Sequence, residues 1–223
     1  MPKLLASQVQ ITFYGLFSQP MFSVWGQGEK ILGGLFNAFK DYNVTAGDMR
    51  YETTSPNVTD SVISVSLFNS SANYKYKVDR VEAVFNDFTE EQSQRIPEVL
   101  QHGDSWLRSL GLDFSFKSQL LLHTSHNQLS EGTSEEFLKA LSSPDVPDIG
   151  NSKGNGITFH WDIPERDWDL SMAVDHSAYV TNGLFVQFLL KTTHDKLDYV
   201  DTFQAAISLG RTALAKLGLS VQL

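Results

Sequence analysis

One succession of strand-like and helix-like segments occurs twice along this chain, at an offset of about 107 residues. In the first pass Val9, Ile11, Phe13 and Phe17 alternate with polar or small residues, which predicts a strand over 8–17. Val24, Ile31, Leu32, Leu35, Phe36 and Phe39 then recur at helical spacing, predicting an amphipathic helix over 23–40. Three strands are expected next, over 48–54, 61–69 and 73–88. In the last of these the apolar phase runs through Tyr74, Tyr76 and Val78, then shifts to Val81, Ala83 and Phe85. Such a shift within one strand implies a β-bulge near Asp79-Arg80. Thr89-Glu90-Glu91-Gln92 has the spacing of a capping box and should open a helix. Pro97 should kink or restart that helix, and Gly111 should end it.

The second pass predicts a strand over 113–125, a short helix over 134–141 and a loop rich in Pro, Gly, Asn and Asp over 142–156. Strands follow over 156–162, 167–175 and 181–192, then a helix over 198–217 that stops at Gly218. The nearly continuous apolar run from Gly183 to Leu190 suggests a strand buried on both faces. Shifted by about 107 residues, 10–17 falls on 117–124, 61–69 falls on 168–176, and Leu110-Gly111-Leu112 falls on Leu217-Gly218-Leu219.

The expected fold is α+β: two tandem β-α-β-β-β-α units, 1–111 and 112–223, forming a curved, mostly antiparallel sheet with helices packed on one face. The join at 111–113 is too short for a flexible linker, so the units should pack together as one globular protein. In layout this resembles the two-lobed saddle of TATA-binding proteins and the helix-grip ligand-binding proteins. Shared layout implies a sheet that can serve as a contact surface, and assigns no activity.

Composition narrows the function classes. Lys and Arg number 17 against 26 Asp and Glu, a formal net charge of -9. That charge opposes phosphate backbones and anionic lipid surfaces, so neither nucleic-acid nor membrane partners are expected, and a nucleic-acid-binding saddle is the least favoured reading. The chain has no cysteine, which rules out disulfides, thiolate metal sites and a cysteine nucleophile. The N-terminal MPKLLASQVQITF has no apolar run of signal-peptide length, and a cytoplasmic location is expected.

No chemical motif stands out. His123, His126, His160, His176 and His194 gather in the second half, with Asp162 and Asp175 nearby. Imidazole with carboxylate suits Zn²⁺ or Fe²⁺, so a metal-dependent enzyme using these histidines is the alternative reading. No ligand spacing accompanies them, and hydrogen-bonded sheet histidines explain them more simply. No metal or other cofactor is therefore assigned. Asp175-His176-Ser177 offers the groups of a nucleophile and base without a nucleophile elbow. Gly26-Gln27-Gly28 lacks the rest of a phosphate loop and fits close helix–sheet approach better.

The aromatics are the stronger pointer. Trp161 and Trp168 flank the turn Ile163-Pro164-Glu165-Arg166, so at least one of them should be partly exposed. The expectation is a non-catalytic binding or interaction protein. Its partner would be a protein or a small hydrophobic ligand held at the sheet or in the groove against its helices. The contact candidates are Trp25, Trp161, Trp168, His160 and His176.

Overall fold

The computed structural model describes residues 2–22, 27–52, 58–111, 114–141 and 156–222. The strands are β1 (Lys3–Phe17), β2 (Met49–Glu52), β3 (Val62–Leu67), β4 (Ala72–Lys77), β5 (Arg80–Asn86), β6 (Phe116–Leu129), β7 (Ile157–Ile163), β8 (Trp168–His176), β9 (Leu184–Thr192) and β10 (Ser220–Gln222). The helices are α1 (Gly28–Phe39), α2 (Glu90–Ser93), α3 (Ile96–Ser109), α4 (Ser134–Leu141) and α5 (Tyr199–Lys216). The chain is an α+β protein with one large, open sheet in the order β2-β3-β4-β5-β1-β6-β9-β8-β7. The registers of β2–β3, β3–β4, β4–β5 and β7–β8 are antiparallel, and β10 lies parallel to the start of β1.

Two compact units share these elements. The larger comprises 11–121 and 191–203, and the smaller comprises 1–10, 122–190 and 204–223.

In the larger unit one sheet face carries Ile63, Val65, Tyr74, Tyr76, Val81, Ala83 and Phe85, all buried. Ile31, Leu35 and Phe39 of α1 and Val99, Trp106 and Leu107 of α3 are buried as well. Two glycines allow the close approach. A Cβ on Gly103 would stand 2.4 Å from the Tyr74 ring, and one on Gly34 would stand 2.7 Å from Trp106 Nε1. The opposite face of β4 and β5 is polar: Glu82 accepts from Lys75 at 3.0 Å, with Lys77 and Arg80 each at 3.9 Å.

The capping box forms as expected. Gln92 N–H donates to Thr89 Oγ1 at 3.2 Å, and Thr89 N–H donates to Gln92 Oε1 at 3.0 Å. Pro97 sits in the first turn of α3, so it restarts the helix rather than kinking it. Gly111 follows at φ +67, where glycine has no Cβ penalty.

Three expectations change. The segment 73–88 is a hairpin and not one bulged strand, because β4 pairs with β5 from Ala72↔Phe85 to Tyr76↔Val81. A tight reversal at Val78-Asp79 switches even residues to odd ones on the buried face, as a bulge would. The first half therefore supplies four strands after α1 where three were expected. Finally, β9 is buried on one face only: Leu184, Val186, Phe188 and Leu190 are buried, while Phe185, Gln187 and Leu189 stay half-exposed.

In the smaller unit the buried row of β8 is Trp168, Leu170, Met172 and Val174. Helix α4 packs on this strand, and its Leu138 is buried. A Cβ on Gly210 of α5 would meet the Phe188 ring at 3.8 Å. Thr133 and Glu136 close a second capping box at the start of α4: Thr133 N–H donates to Glu136 Oε2 at 3.0 Å, and Glu136 N–H donates to Thr133 Oγ1 at 3.2 Å. No helix among the described residues is long and apolar enough to cross a membrane.

Candidate functional site

Strand β7 ends the sheet, and among the described residues it pairs only with β8. Its sequence, Ile-Thr-Phe-His-Trp-Asp-Ile, alternates apolar and polar residues. The register sets Phe159 opposite Met172, Trp161 opposite Leu170 and Ile163 opposite Trp168. Those β8 side chains are buried, so the apolar side of β7 continues the core face of the sheet. It continues uncovered: Ile157, Phe159 and Ile163 are only half-buried, and Trp161 is 40% exposed. The Phe159 and Trp161 rings stack at 5.8 Å with 16° between their planes. The opposite face carries Thr158, His160 and Asp162, facing Ala173, Ser171 and Asp169.

Among the described residues, nothing pairs with the outer side of this edge. Open strands are commonly blunted by shortness, Lys, Pro or a bulge. β7 contains no Lys, Arg or Pro, and its ladder with β8 runs unbroken for its whole length. At the other end of the sheet order, β2 is four residues long and carries Arg50 and Glu52.

The two tryptophans at the hairpin thus divide. Trp161 is the exposed one, and Trp168 is core, 3% exposed and capped by the Arg166 guanidinium at 4.8 Å. His160 is exposed on β7, opposite Ser171. His176 ends β8 and is half-buried, and its Nδ1 lies 2.8 Å from Ser134 Oγ at the start of α4. His176 Nε2 is buried with no hydrogen-bond partner among the described residues. His160 and His176 do not meet. Trp25 lies outside the described residues.

Near His176, the Ser177 hydroxyl sits 2.9 Å from His126 Nδ1 and accepts the N–H groups of Tyr179 at 3.2 Å and Val180 at 2.8 Å. Two N–H donors occupy the oxygen, so its proton goes to His126 Nδ1 and leaves Nε2 as the protonated ring nitrogen. With its lone pairs engaged by these N–H groups, Ser177 anchors the β8–β9 turn. Tyr179, 72% exposed, meets the His126 ring edge-on at 4.6 Å. His123, farther along β6, is half-buried, and desolvation pushes its pKa down to about 4. Among the described residues no three His, Asp or Glu side chains gather as metal ligands.

The larger unit holds a polar cluster that sequence spacing does not reveal. Arg108 Nε donates to Asp104 Oδ2 at 2.8 Å, and Arg108 NH2 donates to the Asp195 carbonyl at 3.2 Å. Asp195 Oδ1 accepts the Phe116 N–H at 2.6 Å, and Gln119 Nε2 donates to the His194 carbonyl at 2.7 Å. Burial, with the Asp104 charge added, raises the Tyr199 phenol well above its ordinary range, and burial does the same to Tyr74. Apart from the Arg108–Asp104 pair, these partners lie 75 to 87 residues apart in the chain, and only the fold brings them together. The arrangement ties α3 to the segment leading into α5.

No model of a known protein family matches the chain, and no curated protein matches it either.

Proposed function

We propose that this chain is a non-catalytic interaction protein that captures an extended segment of a partner protein along β7. One observation carries the reading: an edge strand, open among the described residues, whose apolar side extends the core face and leaves Trp161 40% exposed beside Phe159. A strand added here gains main-chain hydrogen bonds from the open edge and sets alternate apolar side chains beside the two rings. Trp161 is the anchor, because large rigid aromatics dominate such contacts. His160 and Asp162 face the other side of the added strand and tune its sequence. Asp162 stands opposite Asp169 on that side.

Two further parts of the reading rest on the sequence. The tandem β-α-β-β-β-α duplication is supported by Gly111 and Gly218, which end α3 and α5 at φ +67 and +78 and lie about 107 residues apart. It is also supported by the placement of β2 against β7 and β3 against β8 under the same shift, with β4 as the unmatched strand. A cytoplasmic setting, the second part, remains an expectation of the sequence, with which a chain that can form no disulfide is compatible.

Selection of short random peptides displayed on phage tests the capture. The expected winners alternate apolar with polar residues, as β7 itself does, and lose at least about tenfold in affinity against Trp161→Ala. Peptides that bind wild type and Trp161→Ala equally, or no enrichment at all, would overturn the reading.

A further inference from the structure

Strand β7 is a near-palindrome about His160: Ile157-Thr158-Phe159, then His160, then Trp161-Asp162-Ile163. An antiparallel partner with the same sequence, centred on His160, sets Phe159 against Trp161 and Ile157 against Ile163 on one face. The same register sets Thr158 against Asp162 on the other face and His160 against its own copy. Every apolar position meets an apolar position, and each Asp162 carboxylate meets a hydroxyl donor. Odd residues pair with odd ones, so the core face that runs through β8 into β7 continues without a break into the second copy.

We infer that the segment captured at β7 is β7 of a second copy of this chain, in a twofold antiparallel pair centred on His160. The inference rests on the strand-capture reading and names its partner. The size of the contact sets its strength. A stable interface covers about 800 Å² per partner. A seven-residue edge with four apolar side chains on each copy covers less. The dimer is therefore weak and reversible, with a dissociation constant of the order of 10 µM or above.

Sedimentation velocity of the full chain over a wide concentration series reads this directly. Wild type should shift from monomer to dimer as concentration rises. Thr158→Lys, which sets an ammonium against Asp162 of the other copy twice per dimer, should tighten the association about fivefold. Thr158→Glu should weaken it by a similar factor, and adding Asp162→Lys to Thr158→Glu should restore it. Thr158 and Asp162 are exposed, so unchanged thermal midpoints will show that each variant folds. A wild type that stays monomeric throughout overturns the inference, and so does a dimer indifferent to the charge at 158. If the wild type is monomeric while selected peptides still require Trp161, strand capture stands and only the self-pairing fails. If the peptides fail too, both fall.

Discussion

At the level of single residues, His123 converts burial into pH dependence. Its pKa is pushed down to about 4 by desolvation, below the 6.5 of an exposed imidazole. Between those values the unfolded chain binds a proton that the folded chain refuses, so stability falls as pH drops from about 6.5 to 4. The loss should reach about 3 kcal/mol at the lower end, seen as a falling denaturant midpoint. His123→Leu should flatten that dependence. Gly103 gives a second outcome at this scale. A methyl group there meets the Tyr74 ring at 2.4 Å, and Tyr74 is itself buried, so it has nowhere to move. Gly103→Ala should cost roughly 1–3 kcal/mol in equilibrium unfolding, although alanine is the better helix former. Neither effect was legible in the sequence. Gly103 reads as a weak point in a helix, and His123 reads as one of several clustered histidines, until the ring and the buried face beside them are known.

At the level of elements, the local signals translated well. Thr89-x-x-Gln92 built the expected box. Thr133-x-x-Glu136 built another whose spacing was equally available in the sequence. Thr89→Ala and Thr133→Ala should each cost about 1 kcal/mol, measured as a shift in the denaturant midpoint. The failure at 73–88 has a simple cause. Periodicity reports which face a residue occupies and is silent about chain direction, so a tight reversal and a bulge leave the same parity shift. The Arg108 cluster lies beyond any local signal, because its hydrogen bonds run from α3 to residues about 90 positions away. Arg108→Ala leaves the Asp104 carboxylate part-buried without its cation, and should cost about 2 kcal/mol, again in denaturant unfolding. Asp195→Ala should cost a comparable amount, because it strips the acceptor from the Phe116 N–H.

At the level of the whole molecule, the two tryptophans of one hairpin should behave oppositely. Trp168→Ala removes a buried ring and should destabilise the fold by about 3–5 kcal/mol. Trp161→Ala removes a ring already 40% exposed, and should cost less than half as much while abolishing association at β7. Thermal unfolding and binding measured on the same two variants separate a core role from a contact role. The sequence placed both rings beside the turn and required one of them to be exposed. It did not say which, because both sit in strands of similar pattern. The ladder decides the matter: Ile163 pairs with Trp168 on the covered strand, and Trp161 lies on the outermost one.

The sequence by itself determined the α+β class, most element positions, the helix start at Thr89, and the stops at Gly111 and Gly218. These follow from side-chain period, capping chemistry and glycine's freedom at positive φ, all of which act within a few residues. Only the tertiary structure decided the strand order, the buried Arg108 cluster and the strand left at the edge. Those depend on which segments meet across long stretches of chain, and the openness of β7 is the absence of a neighbour among the described residues rather than a property of its own seven residues.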